Sequence, residues 1–108
     1  MILLNTTFCV DSDVRLAFVD FLIKNYIPAA LNAGMAAPVL SSLMAEPQLN
    51  ILTGKKSGSI ALQIQAQDEI TADQWRKNIL PPLLAEINHR WGVAVSLFDT
   101  SLKILGKQ

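Results

Sequence analysis

Few residues in this chain have side chains suited to metal or nucleophilic chemistry. His89 is the only histidine and Cys9 is the only cysteine. A protein-bound zinc ion needs three or four ligands, and a cysteine nucleophile needs an activating base beside it. The sequence has no second histidine, no cysteine pair, and no acidic residue spaced to orient His89 as a base. We therefore predict no metal site and no cofactor, and we assign no catalytic residue.

Each reactive residue has a simpler structural interpretation. His89 lies off the apolar stripe of a predicted helix and near its C-terminal end, where the helix dipole favours a histidine on the surface. Cys9 alternates with polar residues along a predicted strand, which is typical of a small residue at an interface. The stretch "GKKS" (Gly54 to Ser57) resembles a phosphate-binding loop, but it lacks the first glycine and no helix follows it. We interpret it as a solvated turn.

The remaining candidates for binding are uncharged polar side chains on predicted strands. They are expected on one face of a sheet, and all can donate or accept hydrogen bonds. On two facing sheets such groups could hold a small polar ligand or water, or they could pair with one another across a dimer. The predicted ligand-binding set consists of Asn5, Thr7, Cys9, Gln63 and Gln65.

Four segments are predicted as strands. "ILLNTTFCV" (2–10) alternates apolar and polar residues, and "SIALQIQA" (Ser59 to Ala66) does so most clearly. Ala37 to Glu46 and Val93 to Leu105 are the second and fourth strands, and Pro47 to Gly58 is a loop or a ragged hairpin tip.

Two segments show helical spacing of apolar residues. The first follows possible caps at Asp11 to Asp13 and ends at Gly34; the second starts from a cap at Thr71 or Asp73 and ends at Gly92. The predicted buried stripes are Val14, Ala17, Phe18, Phe21, Leu22 and Asn25 in the first helix, and Trp75, Ile79, Leu80, Leu83, Leu84, Ile87 and Trp91 in the second.

Both helices contain a similar sequence pattern, with Lys-Asn followed by a proline at the fifth position and a leucine at the eighth. The two segments are "KNYIPAAL" (Lys24 to Leu31) and "KNILPPLL" (Lys77 to Leu84). Proline removes a helical hydrogen bond and disfavours helical angles in the residue before it. We therefore predict that each helix is bent and divided in two by its prolines. The predicted pieces are Ser12 to Tyr26 and Pro28 to Ala33 in the first helix, and Ala72 to Ile79 and Pro82 to Arg90 in the second.

The order strand, helix, strand, strand, helix, strand predicts one ferredoxin-like α+β domain (βαββαβ) over residues 1–108. In this arrangement both helices cover one face of an antiparallel sheet and the other face is open. Only 17% of residues are charged and 51% are hydrophobic, which is apolar for a soluble domain. We therefore expect the open face to pair with a second copy, giving a homodimeric α+β barrel.

Composition also excludes several classes of function. Nine basic and nine acidic residues give no net charge, so nothing indicates a nucleic-acid partner. No stretch is long and apolar enough for a membrane span, and "MILLNTTF" lacks the features of a signal peptide. We expect a cytoplasmic protein.

Four stretches, "NTTF", "YIPAALNAG", "SIALQIQA" and "EINHRWGVAVSLFDTSLKIL", resemble a family of short bacterial proteins known only as a domain of unknown function. The resemblance covers nearly the whole chain and implies a dimeric α+β barrel of the ferredoxin-like type. It implies no activity. Cys9 stands where many members are expected to carry histidine, and Trp91 replaces a phenylalanine.

Two hypotheses follow. The first is a homodimeric α+β barrel that binds a small ligand or acts as an interaction module without catalysis. The second is a small cofactor-free enzyme of the dimeric-barrel monooxygenase or isomerase kind. The second requires a polar or ionisable group in a closed pocket, and the sequence offers only the polar set above, so we place it second.

Overall fold

A computed structural model of the chain describes residues 1–106. Its strands form one antiparallel sheet in the order β2, β4, β1, β5, with β3 paired to β4 beside β2. This order confirms the ferredoxin-like α+β fold, with one short strand added. The strands are β1 (Ile2–Asp11), β2 (Ala36–Ser42), β3 (Gln48–Asn50), β4 (Lys55–Ala66) and β5 (Val95–Lys103).

Two helices connect these strands. The first helix (15–32) consists of α1 (Arg15–Phe21), a π-helical turn (Leu22–Tyr26) and α2 (Ile27–Asn32), after a short 3₁₀ turn at Ser12–Val14. The second helix (69–91) consists of α3 (Glu69–Gln74), a π-helical turn (Trp75–Ile79) and α4 (Leu80–Trp91). Gly34 and Gly92 both have positive φ just after the helices, so the predicted glycine stops are confirmed.

The prolines lie in the first turn of α2 and of α4, as predicted, but the predicted interruption of each helix before its prolines is wrong. The backbone stays helical through both sites: Tyr26, Ile27 and Leu80 all have right-handed helical angles. The N–H of Ile27 donates to the carbonyl of Leu22, five residues earlier, and that of Leu80 donates to Trp75 in the same way. A π-turn is wider than an α-turn, so it gives the proline ring room where the carbonyl four residues earlier would obstruct it.

Each π-turn also inserts one residue into the periodicity of its helix. In the first helix Tyr26 is buried where the 3.6-residue spacing predicted Asn25, which is exposed. In the second helix the buried residue after Trp75 is Leu80, whereas Ile79 is 36% exposed. The stripe predictions therefore fail at Asn25 and Ile79, since regular spacing cannot anticipate an extra residue. Beyond the second π-turn the predicted stripe is confirmed: Leu80 and Ile87 are buried, and Leu83, Leu84 and Trp91 pack against the core.

The core lies between the helices and the inner face of the sheet, and aromatic side chains connect its parts. Phe8 of β1 packs edge-on against Phe18, at a centroid distance of 5.0 Å. Phe18 in turn contacts Trp91, at 5.2 Å, and Tyr26 contacts Trp75, at 5.6 Å. Both tryptophans therefore belong to the packing of the core, as predicted.

The remaining differences lie at the ends of elements. β2 ends at Ser42 rather than continuing to Glu46, and the predicted loop Pro47 to Gly58 contains β3 and the start of β4. The second helix begins at Glu69 because Asp68, rather than Thr71 or Asp73, is its N-cap: the Asp68 carboxylate accepts from the Thr71 N–H at 2.8 Å. Single-sequence patterns locate such ends poorly, because capping depends on local hydrogen bonds.

Candidate functional site

The predicted polar set lies together on the open face of the sheet. Its members occupy alternate positions of the adjacent strands β1 and β4, and all are half-buried. Asn5 lies directly opposite Gln63, and Gln65 lies opposite Leu3. Because side chains of directly paired residues lie on the same face, Asn5 and Gln63 form the centre of a polar row.

Cys9 lies at the far end of this face. It is half-buried, and its Sγ is 3.8 Å from the Oγ of Ser59 on β4. Cys9 lines a small depression of about 70 Å³ together with residues that include Glu46 and Gln48. No basic side chain lines this depression, so the surroundings of Cys9 do not favour a reactive thiolate.

His89 is exposed near the C-terminal end of α4, as predicted. Within residues 1–106, no three His, Cys, Asp or Glu side chains come together as metal ligands. In the same part of the chain no helix is long and apolar enough to cross a membrane.

A second polar cluster lies on the helix-covered face, where the sequence predicted core. Thr6 is 7% exposed between Leu4 and Phe8, and its hydroxyl donates to a carboxylate oxygen of Asp99 at 2.7 Å. Thr6 and Asp99 are directly opposite each other on β1 and β5. A threonine in an apolar row lowers stability unless its hydroxyl is hydrogen-bonded, and Asp99 provides that partner.

Tyr26 lies behind this pair and is 1% exposed. Burial raises the pKa of Tyr26 to about 12; hydrogen bonding with Thr6 opposes the rise, and the negative charge of Asp99 adds to it. Tyr26 is therefore a neutral phenol at physiological pH, whereas the Asp99 side chain lies at the exposed edge of the cluster. Both π-turns contribute to the site, since Tyr26 ends the first and Trp75 begins the second.

Sequence reasoning missed this cluster for two reasons. Tyr26 is absent from the predicted buried stripe of the first helix, because a 3.6-residue pattern does not reveal the extra residue of the π-turn. Thr6 was placed on the buried face of β1, but its partner Asp99 is 93 residues away in sequence. A polar residue in an otherwise apolar strand row was the one signal that could have indicated a buried polar contact.

The β3–β4 hairpin covers another buried carboxylate, at the end of β1. Asp11 is 1% exposed, and one of its oxygens accepts from the Asn50 side-chain amide at 2.9 Å. Within residues 1–106 its other oxygen has no hydrogen-bond partner. The same amide nitrogen also donates to the Val93 carbonyl, so Asn50 connects the hairpin, β1 and the segment before β5.

Strand order, helix placement and the open face define a ferredoxin-like α+β protein of the kind found in dimeric barrels. The sequence matches the family described as domain of unknown function DUF4286 over residues 1–105. The chain belongs to that family. A search of curated protein sequences finds no match.

Solved structures with similar folds share little sequence with this chain. A candidate antibiotic biosynthesis monooxygenase from Deinococcus radiodurans is 10% identical, with a TM-score of 0.72 over 100% of this chain and 95% of its own. A dimeric ferredoxin-like protein from an uncultured marine organism is 12% identical, with a TM-score of 0.65 over 98% and 97%. An ethyl tert-butyl ether D (EthD) family protein from Bacillus halodurans is also 12% identical, with a TM-score of 0.56 over 93% and 97%. These similarities show the fold.

Proposed function

We propose that the protein is a homodimer that binds a small ligand or acts as an interaction module, and that two copies pair through their open sheet faces. The observation that carries this proposal is the absence of charge on the central part of that face, away from its end at Asp11 and Lys55. The residues that the strand register places there are Leu3, Asn5, Thr7 and Cys9 of β1, Ser59, Ala61, Gln63 and Gln65 of β4, Ser96, Phe98, Thr100 and Leu102 of β5, and Val39 and Ser41 of β2.

None of these residues is an aspartate, glutamate, lysine, arginine or histidine. Phe98, Leu102 and Val39 expose 58%, 52% and 52% of their surface, so the face carries large apolar groups in water. The core of a protein interface is depleted in charge and enriched in aromatic residues, which is the composition seen here. A neutral face is also complementary to itself, as a two-fold symmetric dimer requires.

The polar residues at the centre of this face would then be enclosed between two sheets. Asn5, Thr7, Cys9, Gln63 and Gln65 would lose water on dimerisation, and buried amides need hydrogen-bond partners. They can obtain them from the facing copies or from a small polar ligand held between the sheets. This is the ligand-binding role that we propose for the set.

Sedimentation velocity at micromolar concentration tests the dimer. We expect the wild-type chain to sediment with twice the mass of one chain, and Phe98→Asp to sediment as a monomer, because the substitution puts two charges into an apolar contact. Leu16→Asp is the matched control: Leu16 is 88% exposed on the first helix, away from the sheet, and the variant should remain dimeric. A monomeric wild-type protein would contradict the proposal.

The ligand role has its own test. Native mass spectrometry of the purified dimer should show an added small molecule, and the added mass should disappear in Gln63→Leu while the dimer persists. If the wild-type dimer carries no added mass, the polar set pairs with itself and the protein is an interaction module.

A cofactor-free enzyme of the monooxygenase or isomerase kind is the second candidate. The Thr6–Asp99 pair supports it, because it places a carboxylate beside a neutral buried phenol at the edge of a groove. A carboxylate that removes a proton next to a carbonyl group would serve an isomerase. We place it second, since Cys9 and His89 do not point into an enclosed cavity.

Proton exchange in D₂O, followed by NMR with simple keto acids as probes, tests this candidate. Exchange faster than in buffer alone, and lost in Asp99→Asn, would support an enzyme. Exchange at the buffer rate with every keto acid would contradict the proton-abstracting version.

A further inference from the structure

A groove separates the second helix from β5 on the helix-covered side of the sheet, and it has two parts. The outer part has a volume of about 270 Å³. The inner part, of about 10 Å³, has room for one water-sized group and ends on Thr6, Trp75 and Asp99. Arg76 and Ser101 line both parts and form the boundary between them.

Two opposite charges face this groove without neutralising each other. Asp99 accepts a hydrogen bond from Thr6, and within residues 1–106 no lysine or arginine nitrogen lies within 4.0 Å of its carboxylate. The Arg76 guanidinium donates to the Ser101 hydroxyl and lies 3.7 Å from Asp73. Exposed ion pairs of this kind contribute little. A carboxylate and a guanidinium therefore remain available to a ligand.

Three further charged residues line the outer part: Asp73 lies beside Arg76, and Glu69 and Lys103 form an exposed ion pair with each other. Lys103 lies 3.3 Å from Glu69 across the mouth of the outer part. Between the charged pairs the wall is apolar, formed by Ile2, Ala72 and Leu102. The groove thus has a carboxylate at its inner end, a guanidinium at the boundary, and an outer part lined by both apolar and charged residues.

We propose that this groove binds a small zwitterion with the chemistry of an α-amino acid. The ammonium group enters the inner part and donates to Asp99. The carboxylate binds Arg76 and takes the place of Ser101 as acceptor, and a small apolar side chain lies against Ile2, Ala72 and Leu102. Both contacts are charge-assisted hydrogen bonds, the stronger kind, and Arg suits a carboxylate because it can donate two parallel bonds.

Two features favour a zwitterion over a ligand with a single charge. A cation alone would neutralise Asp99 but leave Arg76 without a ligand carboxylate, and an anion alone would lie close to the carboxylates of Asp73 and Asp99, which also line the groove. The site uses residues of one protomer only and lies mainly between the second helix and β5, although Asn5, Thr100 and Leu102, which the strand register places on the open face, also line it.

Isothermal titration calorimetry with L-alanine and L-valine tests the proposal. Isobutylamine and isovalerate are the matched probes, since each keeps the apolar group of valine but only one of its charges. We expect saturable binding of at least one of the two amino acids, with one site per protomer. Each single-charge probe should bind about tenfold more weakly or worse, as expected for loss of one charged hydrogen bond.

Two variants and two controls complete the experiment. Asp99→Asn and Arg76→Gln should each weaken amino-acid binding about tenfold or more. Asp20→Asn and Lys77→Gln, which change exposed charges outside the groove, should leave it unaltered. Circular dichroism verifies that each variant is folded.

Three results would overturn the proposal. If neither amino acid gives a heat of binding at millimolar concentration, the groove does not bind amino acids. Equal affinity for isobutylamine and valine would make it a simple cation site, and equal affinity for isovalerate would make it an anion site. If calorimetry rejects the groove while sedimentation velocity still shows a dimer, the proposed interface stands. The two proposals can therefore fail separately.

Discussion

Tyr26 provides a direct test of the buried polar cluster, because it is the only tyrosine in the chain. Its ionisation can therefore be followed by near-ultraviolet absorbance with no other tyrosine contributing. Burial raises the pKa of Tyr26 to about 12 from an ordinary value of 10.0. We expect the native protein to show a midpoint near 12 and the urea-unfolded protein a midpoint near 10.

The same shift predicts how stability depends on pH. Between about pH 10 and pH 12 the unfolded chain loses the Tyr26 proton while the native chain keeps it, so the native state binds more protons. The free energy of unfolding must then fall as pH rises through this window. Two pKa units correspond to about 2.7 kcal/mol, which is present in full below pH 10 and lost by about pH 12.

Urea denaturation at about pH 8 and about pH 11 measures this loss, and Tyr26→Phe is the control. Lysines also titrate in this range, but the variant contains the same lysines, so the difference between the two proteins isolates the phenol. At pH 8 the variant should be about 1 kcal/mol less stable, since it lacks the hydrogen bond with Thr6. At pH 11 the difference in free energy of unfolding between the two proteins should become smaller or change sign.

A native absorbance midpoint near 10 would show that the phenol is in contact with water and would refute the argument. So would an equal loss of stability on alkalinisation in wild type and Tyr26→Phe. Either result would also remove the reason for treating Tyr26 as a neutral group beside Asp99.

Two other substitutions test the parts of the fold that support the site. Asn50→Ala removes the donor to the buried Asp11 carboxylate and should lower the free energy of unfolding, measured by urea denaturation, by about 1–3 kcal/mol. The control Asn88→Ala changes an exposed residue and should be nearly neutral. Similar values for the two variants would show that the hairpin contact does not stabilise the fold. Gly34→Ala places a side chain at φ +89° and should cost about 1 kcal/mol through backbone strain alone, because the nearest atom to the added Cβ is 3.8 Å away. Gly106→Ala, which has neither strain nor a close neighbour, is the control in the same thermal melts, and an equal change in both melting temperatures would contradict the strain argument.

Much of the fold was predictable because its elements have simple periodicities. The alternation in "ILLNTTFCV" and "SIALQIQA" predicted β1 and the inner part of β4 with the correct faces. The apolar spacing around Phe18 and Trp75 predicted two helices, and Gly34 and Gly92 predicted where they end. Given the order of these elements, sheet geometry leaves few topologies, and the ferredoxin-like arrangement is the one observed.

The functional surfaces were predictable only in part. Asn5, Thr7, Cys9, Gln63 and Gln65 share the open face as predicted, because a period of two assigns faces reliably along an unbroken strand. Proline effects were harder to predict. A proline can end a helix or be accommodated by a wider turn, and the choice depends on what packs against that turn.

The sequence by itself determined the order of the elements, the faces of its two regular strands and the neutrality of the central part of the open face. The tertiary structure alone decided which residues form the polar cluster of Thr6, Tyr26 and Asp99. Two π-turns rotate Tyr26 and Leu80 into the core, and strand pairing brings Asp99 to Thr6 from 93 residues away. Periodicity records only local spacing, whereas these contacts depend on an inserted helical residue and on a strand register that form together with the packed core.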